Sequence, residues 1–125
     1  MKISLFAIVL TTVCAINAQG KLPYYQIPEA AKEFTPGTTA SRMIDGLGFR
    51  YYWATEGLTE KDLAFKPNEE ARTTLETIDH ILGLSQVILN ATMQKPNEGK
   101  QPKMTFIEKR KKTLNNLLQA SNILR

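Results

Sequence analysis

Three stretches of this chain repeat apolar residues at the spacing of a helix, and none alternates with the two-residue period of a strand. That restricts the fold to helices packed on helices, an all-α bundle. The first stretch runs from Thr38 to Glu56. Ala40, Met43, Ile44, Leu47, Tyr51, Ala54 and then Leu58 mark one buried face, and Gly57 closes the helix. Phe49, Tyr52 and Trp53 form a second apolar set on another side. A helix apolar on two sides touches more than one neighbour, or a partner chain. Gly46 and Gly48 each cost this helix about 1 kcal/mol. They predict either a neighbour packed close to the backbone or a kink.

The second stretch, Thr73 to Thr92, opens on a Thr73-x-x-Glu76 capping box, in which each side chain serves the other's backbone. Its expected core stripe is Leu75, Ile78, Ile81, Leu82, Ser85, Ile88 and Leu89. The third starts at Thr105 with a box to Glu108. It carries Ile107, Leu114, Leu117, Leu118 and Ile123 inward, with Lys109 to Lys112 on the solvated side. Short connectors predict antiparallel neighbours, hence an up-down order. The apolar sets exceed what three helices cover, so a homodimer through exposed helix faces is expected.

Residues 1–18 read as a signal peptide. Lys2 is the charged start, Ile3 to Ile16 is apolar but too short to span a bilayer, and Ala18 suits cleavage. A buried N-terminal helix is the competing reading. An exported protein, periplasmic or extracellular, follows from the first. The only cysteine, Cys14, lies inside this segment, so residues 19–125 contain no thiol and no disulfide. Residues 19–37, with Pro23, Pro28 and Pro36, read as an extended arm. The formal charge of +4 is a mild excess concentrated at 109–112, which argues against a nucleic-acid face. A basic membrane-docking helix at 105–125 is a weaker reading, since Phe106 is its one aromatic anchor.

His80 is the only histidine. By helical spacing it lies off the core stripe, on a flank with Glu76, Leu84 and Val87, whereas Asp79 points about 100° away. Glu76, one turn earlier, is the acid that could join it. One histidine does not make a catalytic metal site, which needs about three protein ligands. Ser85 and Ser121 have no context marking them as nucleophiles. Asn90-Ala91-Thr92 fits a glycosylation sequon on a predicted helix.

Three segments taken in order carry a resemblance. They are Arg42-Met43-Ile44-Asp45, then Gly57-Leu58-Thr59-Glu60-Lys61-Asp62-Leu63-Ala64-Phe65-Lys66-Pro67, then Thr74-Leu75-Glu76-Thr77-Ile78-Asp79-His80-Ile81. This order resembles the DinB-like family, four-helix bundles related to thiol-dependent S-transferases. The resemblance covers 38–125 and implies an up-down bundle of DinB type with three of its four helices present. It also implies a divalent metal, zinc or nickel, held by His80 and by an H-x-x-x-H-type pair on the last helix. That pair has no counterpart in the sequence, so the resemblance implies an incomplete metal site. Two functions follow. One is a metal-dependent enzyme of transferase or hydrolase type. The other is a non-catalytic helical module that binds or assembles through exposed apolar faces.

Overall fold

The computed structural model describes residues 21–99 and 101–125. The expected signal peptide, with Cys14, lies outside them. The described residues form four helices and no strand: α1 (Pro36–Ala54), α2 (Glu60–Ala64), α3 (Thr74–Thr92) and α4 (Phe106–Leu124). No helix among them is long and apolar enough to cross a membrane.

Local chemistry fixes the helix starts. Thr73 and Thr105 cap α3 and α4 as the sequence predicts, with Glu76 and Glu108 each accepting from the cap backbone N–H at 2.7 Å. Two starts differ from expectation. α1 begins at Pro36 behind Thr35, because proline at the first helical position is preorganised and needs no N–H partner. The connector holds the extra helix α2, started by a box between Thr59 and Asp62. Gly57 sits at φ +72°, just past the end of α1 at Ala54.

The order is not up-down throughout. Ser41 meets Ser121 and Thr55 meets Arg110, so residue numbers fall along α1 as they rise along α4. Those two helices are antiparallel. Asp79 meets Lys109 and Ser85 meets Asn116, so numbers rise together along α3 and α4. Those two are parallel, which corrects the expected antiparallel pairing. The connector makes it possible, because described residues on both sides of position 100 lie back along α3. Asn97 reaches Asn90, and Gln101 to Met104 flank Asp79 and Leu82. α4 packs against both α1 and α3, whereas α1 and α3 do not approach each other closely.

Leu114 and Leu117 of α4 centre the core, with Tyr24, Tyr51 and Tyr52 packed around them and Ile44, Ile81 and Ile88 at its edge. The α3 stripe is buried as expected at Ile78, Leu82, Ser85 and Leu89. The α1 face is not. The helix buries Ser41, Asp45, Gly48, Tyr51 and Tyr52, while Met43 is 73% exposed and Leu47 42%. On α4, Ile107 and Ile123 are exposed as well. The arm contributes to the core. Tyr24, at φ +69°, lays its ring over Gly48, where a Cβ would stand 2.5 Å from the ring. Close packing therefore explains Gly48. Nothing comparable explains Gly46, whose Cβ would meet only the tip of Arg50 at 3.4 Å.

Candidate functional site

Polar residues hold α1 on α4, and this explains the rotated face. The Asp45 carboxylate is 1% exposed. It accepts from the Ser121 hydroxyl at 2.6 Å and the Tyr24 hydroxyl at 3.2 Å, and it pairs with the Arg125 guanidinium. Ser41 joins Ser121 at 2.8 Å and accepts from Arg125 Nε at 3.1 Å. A buried carboxylate needs this many donors to offset its lost hydration. Burial, then the Asp45 charge and the hydrogen bond to it, push the Tyr24 phenol well above its ordinary range. Ser121 beside a carboxylate could suggest a nucleophile, but both serines are sealed from solvent and the histidine lies on another helix. This cluster positions α1, the arm and the end of α4. Hydrophobic periodicity could not have revealed it, because it reads Ser41 and Asp45 as outward residues.

A second latch sits at the other end of α1. Arg110 donates to the Thr55 hydroxyl at 2.9 Å and to the Tyr52 carbonyl, pairs with Glu56, and lies 4.5 Å from the Tyr52 ring centre. Lys109 pairs with Asp79 at 2.6 Å. The run Lys109 to Lys112 is therefore not simply a solvated side. Its first two members bridge helices, and Lys112 donates to Gln101.

His80 is exposed near the start of α3. Both acids close to it in sequence are engaged elsewhere: Glu76 in the Thr73 cap, Asp79 with Lys109. The Thr73 backbone and hydroxyl hold the Glu76 carboxyl below its usual range, which keeps it an anion facing the helix start. Among the described residues no group of three potential ligands gathers anywhere. His80 alone does not fit a metal. In the sequon, Asn90 Nδ2 donates to Asn97 and to the Pro96 carbonyl.

The exposed surface has an order of its own, and its α1 part is the face that periodicity predicts as buried. On α1 it comprises Ala40, Met43, Leu47, Arg50 and Ala54; on α3, Thr77, His80, Leu84, Val87 and Ala91. Each set steps by three and four residues, the a/d spacing of a helix seam. Ala40 is half-buried and the other nine are exposed, Leu84 at 48% and Val87 at 42%. The two seams are also in register. Positions level with the same point on α4 are level with each other, which sets Leu47 between Leu84 and Val87, Arg50 beside Leu84, and Ala54 beside His80. Between the seams lie the half-buried Ile44, Ile81 and Ile88, resting on the Tyr51 and Leu117 core. The result is a shallow groove with an apolar floor and two patterned rims. Beneath it the Tyr51 and Thr113 hydroxyls are buried without an aligned hydrogen-bond partner. Burial pushes the Tyr51 phenol above its ordinary value, and the nearby Thr113 hydroxyl partly opposes this.

No protein-family model, curated protein or solved structure matches this chain.

Proposed function

We propose that this chain is a non-catalytic docking module that receives an amphipathic helix between α1 and α3. One observation carries the reading: two exposed a/d seams, antiparallel and level with each other, flank an apolar floor. Two helices of a four-helix bundle present themselves to a third in this way. Large apolar side chains repeated down both seams have no use in water, and contiguous patches of this kind mark interaction sites. Docking of a helix would bury Leu47 and Leu84 at its centre. With residues 1–18 serving as a signal peptide, the module acts outside the cytoplasm.

The test is a labelled synthetic helix of three Leu/Ala heptads, titrated into the protein and followed by amide chemical shifts. Changes confined to α1 and α3, abolished in a Leu47→Lys/Leu84→Lys variant that keeps its helix content, are the expected outcome. Changes centred on α4, or none, rule the groove out.

A second reading follows from the DinB-like resemblance, and the place of His80 favours it. His80 stands on a groove rim, level with Ala54, and makes no hydrogen bond or ion pair among the described residues. A docked helix bearing a histidine pair would supply the two further ligands that zinc or nickel needs there. That would make the assembled bundle a metal-dependent enzyme. Zinc titration into the chain alone should then show only weak binding, lost in His80→Ala. Weak binding unchanged by that substitution removes His80 from the reading.

A further inference from the structure

We infer that the pocket between the arm and the start of α1 binds a free apolar α-amino acid, of the leucine or phenylalanine class. The ligand's carboxylate meets Arg42, its ammonium meets Glu33, and its side chain lies on the apolar walls. The site is separate from the groove, and it stands whether or not a helix docks there. The pocket measures about 270 Å³. Ala30, Ala31 and Phe34 line it from the arm, and Met43 lines it from α1. Phe34 is 95% exposed and Met43 73%, the two most exposed large apolar side chains among the described residues. An apolar group bound between them would remove part of that surface from water. Ligand sites combine such walls with a few convergent polar groups.

Here two opposite charges supply the polar groups. Glu33 and Arg42 line the same pocket without pairing with each other, and neither has an ion-pair partner among the described residues. An anion would gain Arg42 and be opposed by Glu33, and a cation would meet the reverse. A molecule with both charges on one carbon satisfies both residues, and an α-amino acid is the simplest of that kind. The frame around the charges is fixed. Arg42 Nη1 donates to the Pro28 carbonyl at 2.6 Å, which seats the arm on α1. The guanidinium has five N–H donors, so others are left for a carboxylate. The Thr38 hydroxyl donates to the Glu33 carbonyl at 2.8 Å, which sets the turn that carries the Glu33 side chain.

The experiment titrates leucine, glycine, N-acetylleucine and leucinamide into the isotope-labelled chain and follows amide chemical shifts. Leucine should move signals of residues 30–43. Glycine keeps both charges but lacks the apolar body, and should bind roughly tenfold more weakly. N-acetylleucine lacks the ammonium and leucinamide the carboxylate, so each should bind about two- to fivefold more weakly than leucine. Glu33→Gln should erase the gap between leucine and N-acetylleucine, and Arg42→Gln the gap between leucine and leucinamide. Near-ultraviolet dichroism of the Tyr25–Trp53 pair checks that the arm stays seated in each variant. If Arg42→Gln releases the arm, Glu33→Gln decides alone, because the turn uses only the Glu33 carbonyl. Equal binding of leucine and either blocked form overturns the amino-acid site. So does the absence of shifts at residues 30–43, or leucine binding that is lost in the Leu47→Lys/Leu84→Lys variant and therefore belongs to the groove.

Discussion

The two long sides of α1 are nearly the reverse of what their hydropathy suggests. The inner side carries Ser41, Asp45 and Gly48 against α4 and the arm, and the outer side carries Met43 and Leu47 into solvent. Inside, a carboxylate with three polar partners fixes which way the helix faces, because only one rotation satisfies it. Outside, apolar side chains have no such obligation and can wait for a partner. The lesson concerns specificity. A buried ionic cluster adds little net stability but makes the wrong rotation very costly, since it would strand Asp45 unpaired. The exposed seam contributes little to folding, because much of its apolar surface stays in solvent.

Breaking the inner side should have the largest effect. Asp45→Ala leaves Arg125, Ser121 and Tyr24 facing an unfilled space and should cost about 3 to 5 kcal/mol in urea unfolding. Met43→Ala, two residues away on the outside, should stay within about 0.5 kcal/mol. Similar costs for the two would mean the faces are assigned wrongly. The two glycines sharpen the contrast. Gly48→Ala drives a methyl into the Tyr24 ring and should cost about 1 to 3 kcal/mol. It should also loosen the packing of Tyr25 on Trp53, now 5.3 Å between ring centres, with loss of near-ultraviolet dichroism. Gly46→Ala should instead stabilise α1, by up to about 1 kcal/mol, since only the flexible tip of Arg50 must move.

Smaller effects belong to the helix ends, away from both sides. Thr73→Ala and Thr105→Ala should each cost about 1 kcal/mol in thermal melts. The acid partners titrate with a definite sign. Hydrogen bonds from Thr73 and Thr105 hold the Glu76 and Glu108 carboxyls below their ordinary value. Their contribution is therefore complete above the unfolded glutamate value of about 4.3 and is lost as pH falls through the lower folded values. Melting temperature should decline below about pH 4, and a Glu76→Gln/Glu108→Gln variant should decline less steeply.

Much of the scaffold was legible in the sequence. The capping boxes at Thr73 and Thr105 are local signals that name their own partners, and the α3 stripe is apolar where it is buried. α1 misled because periodicity ranks residues by hydropathy. Its buried network instead depends on Ser121 and Arg125, which lie 76 to 84 positions away. The α1 seam was visible as residues but read as core, whereas Leu84 and Val87 of the α3 seam read correctly as a flank. Only the register of α1 and α3 across α4 shows that Leu47 and Leu84 belong to one surface. The parallel pairing of α3 and α4 was hidden for a related reason. Residues 94–103 read as an ordinary polar loop, and nothing in their composition says that Asn97 lies beside Asn90 and Gln101 beside Asp79.

That return path also orders events in time. Partners between α3 and α4 are about 30 positions apart, whereas those closing α1 onto α4 are 55 to 84 apart. Closing the longer loops costs more chain entropy and delays their contacts. The α3–α4 pair should therefore assemble first, with α1 and its tyrosine-bearing arm arriving last. Asn116→Ala should then chiefly slow refolding, and Ser121→Ala should chiefly hasten unfolding, in stopped-flow measurements. Until α1 arrives, the nascent chain shows solvent the Leu114 and Leu117 surface that the finished protein hides. The native groove thus has a forerunner on the folding path, a second apolar surface that lasts only until α1 covers it.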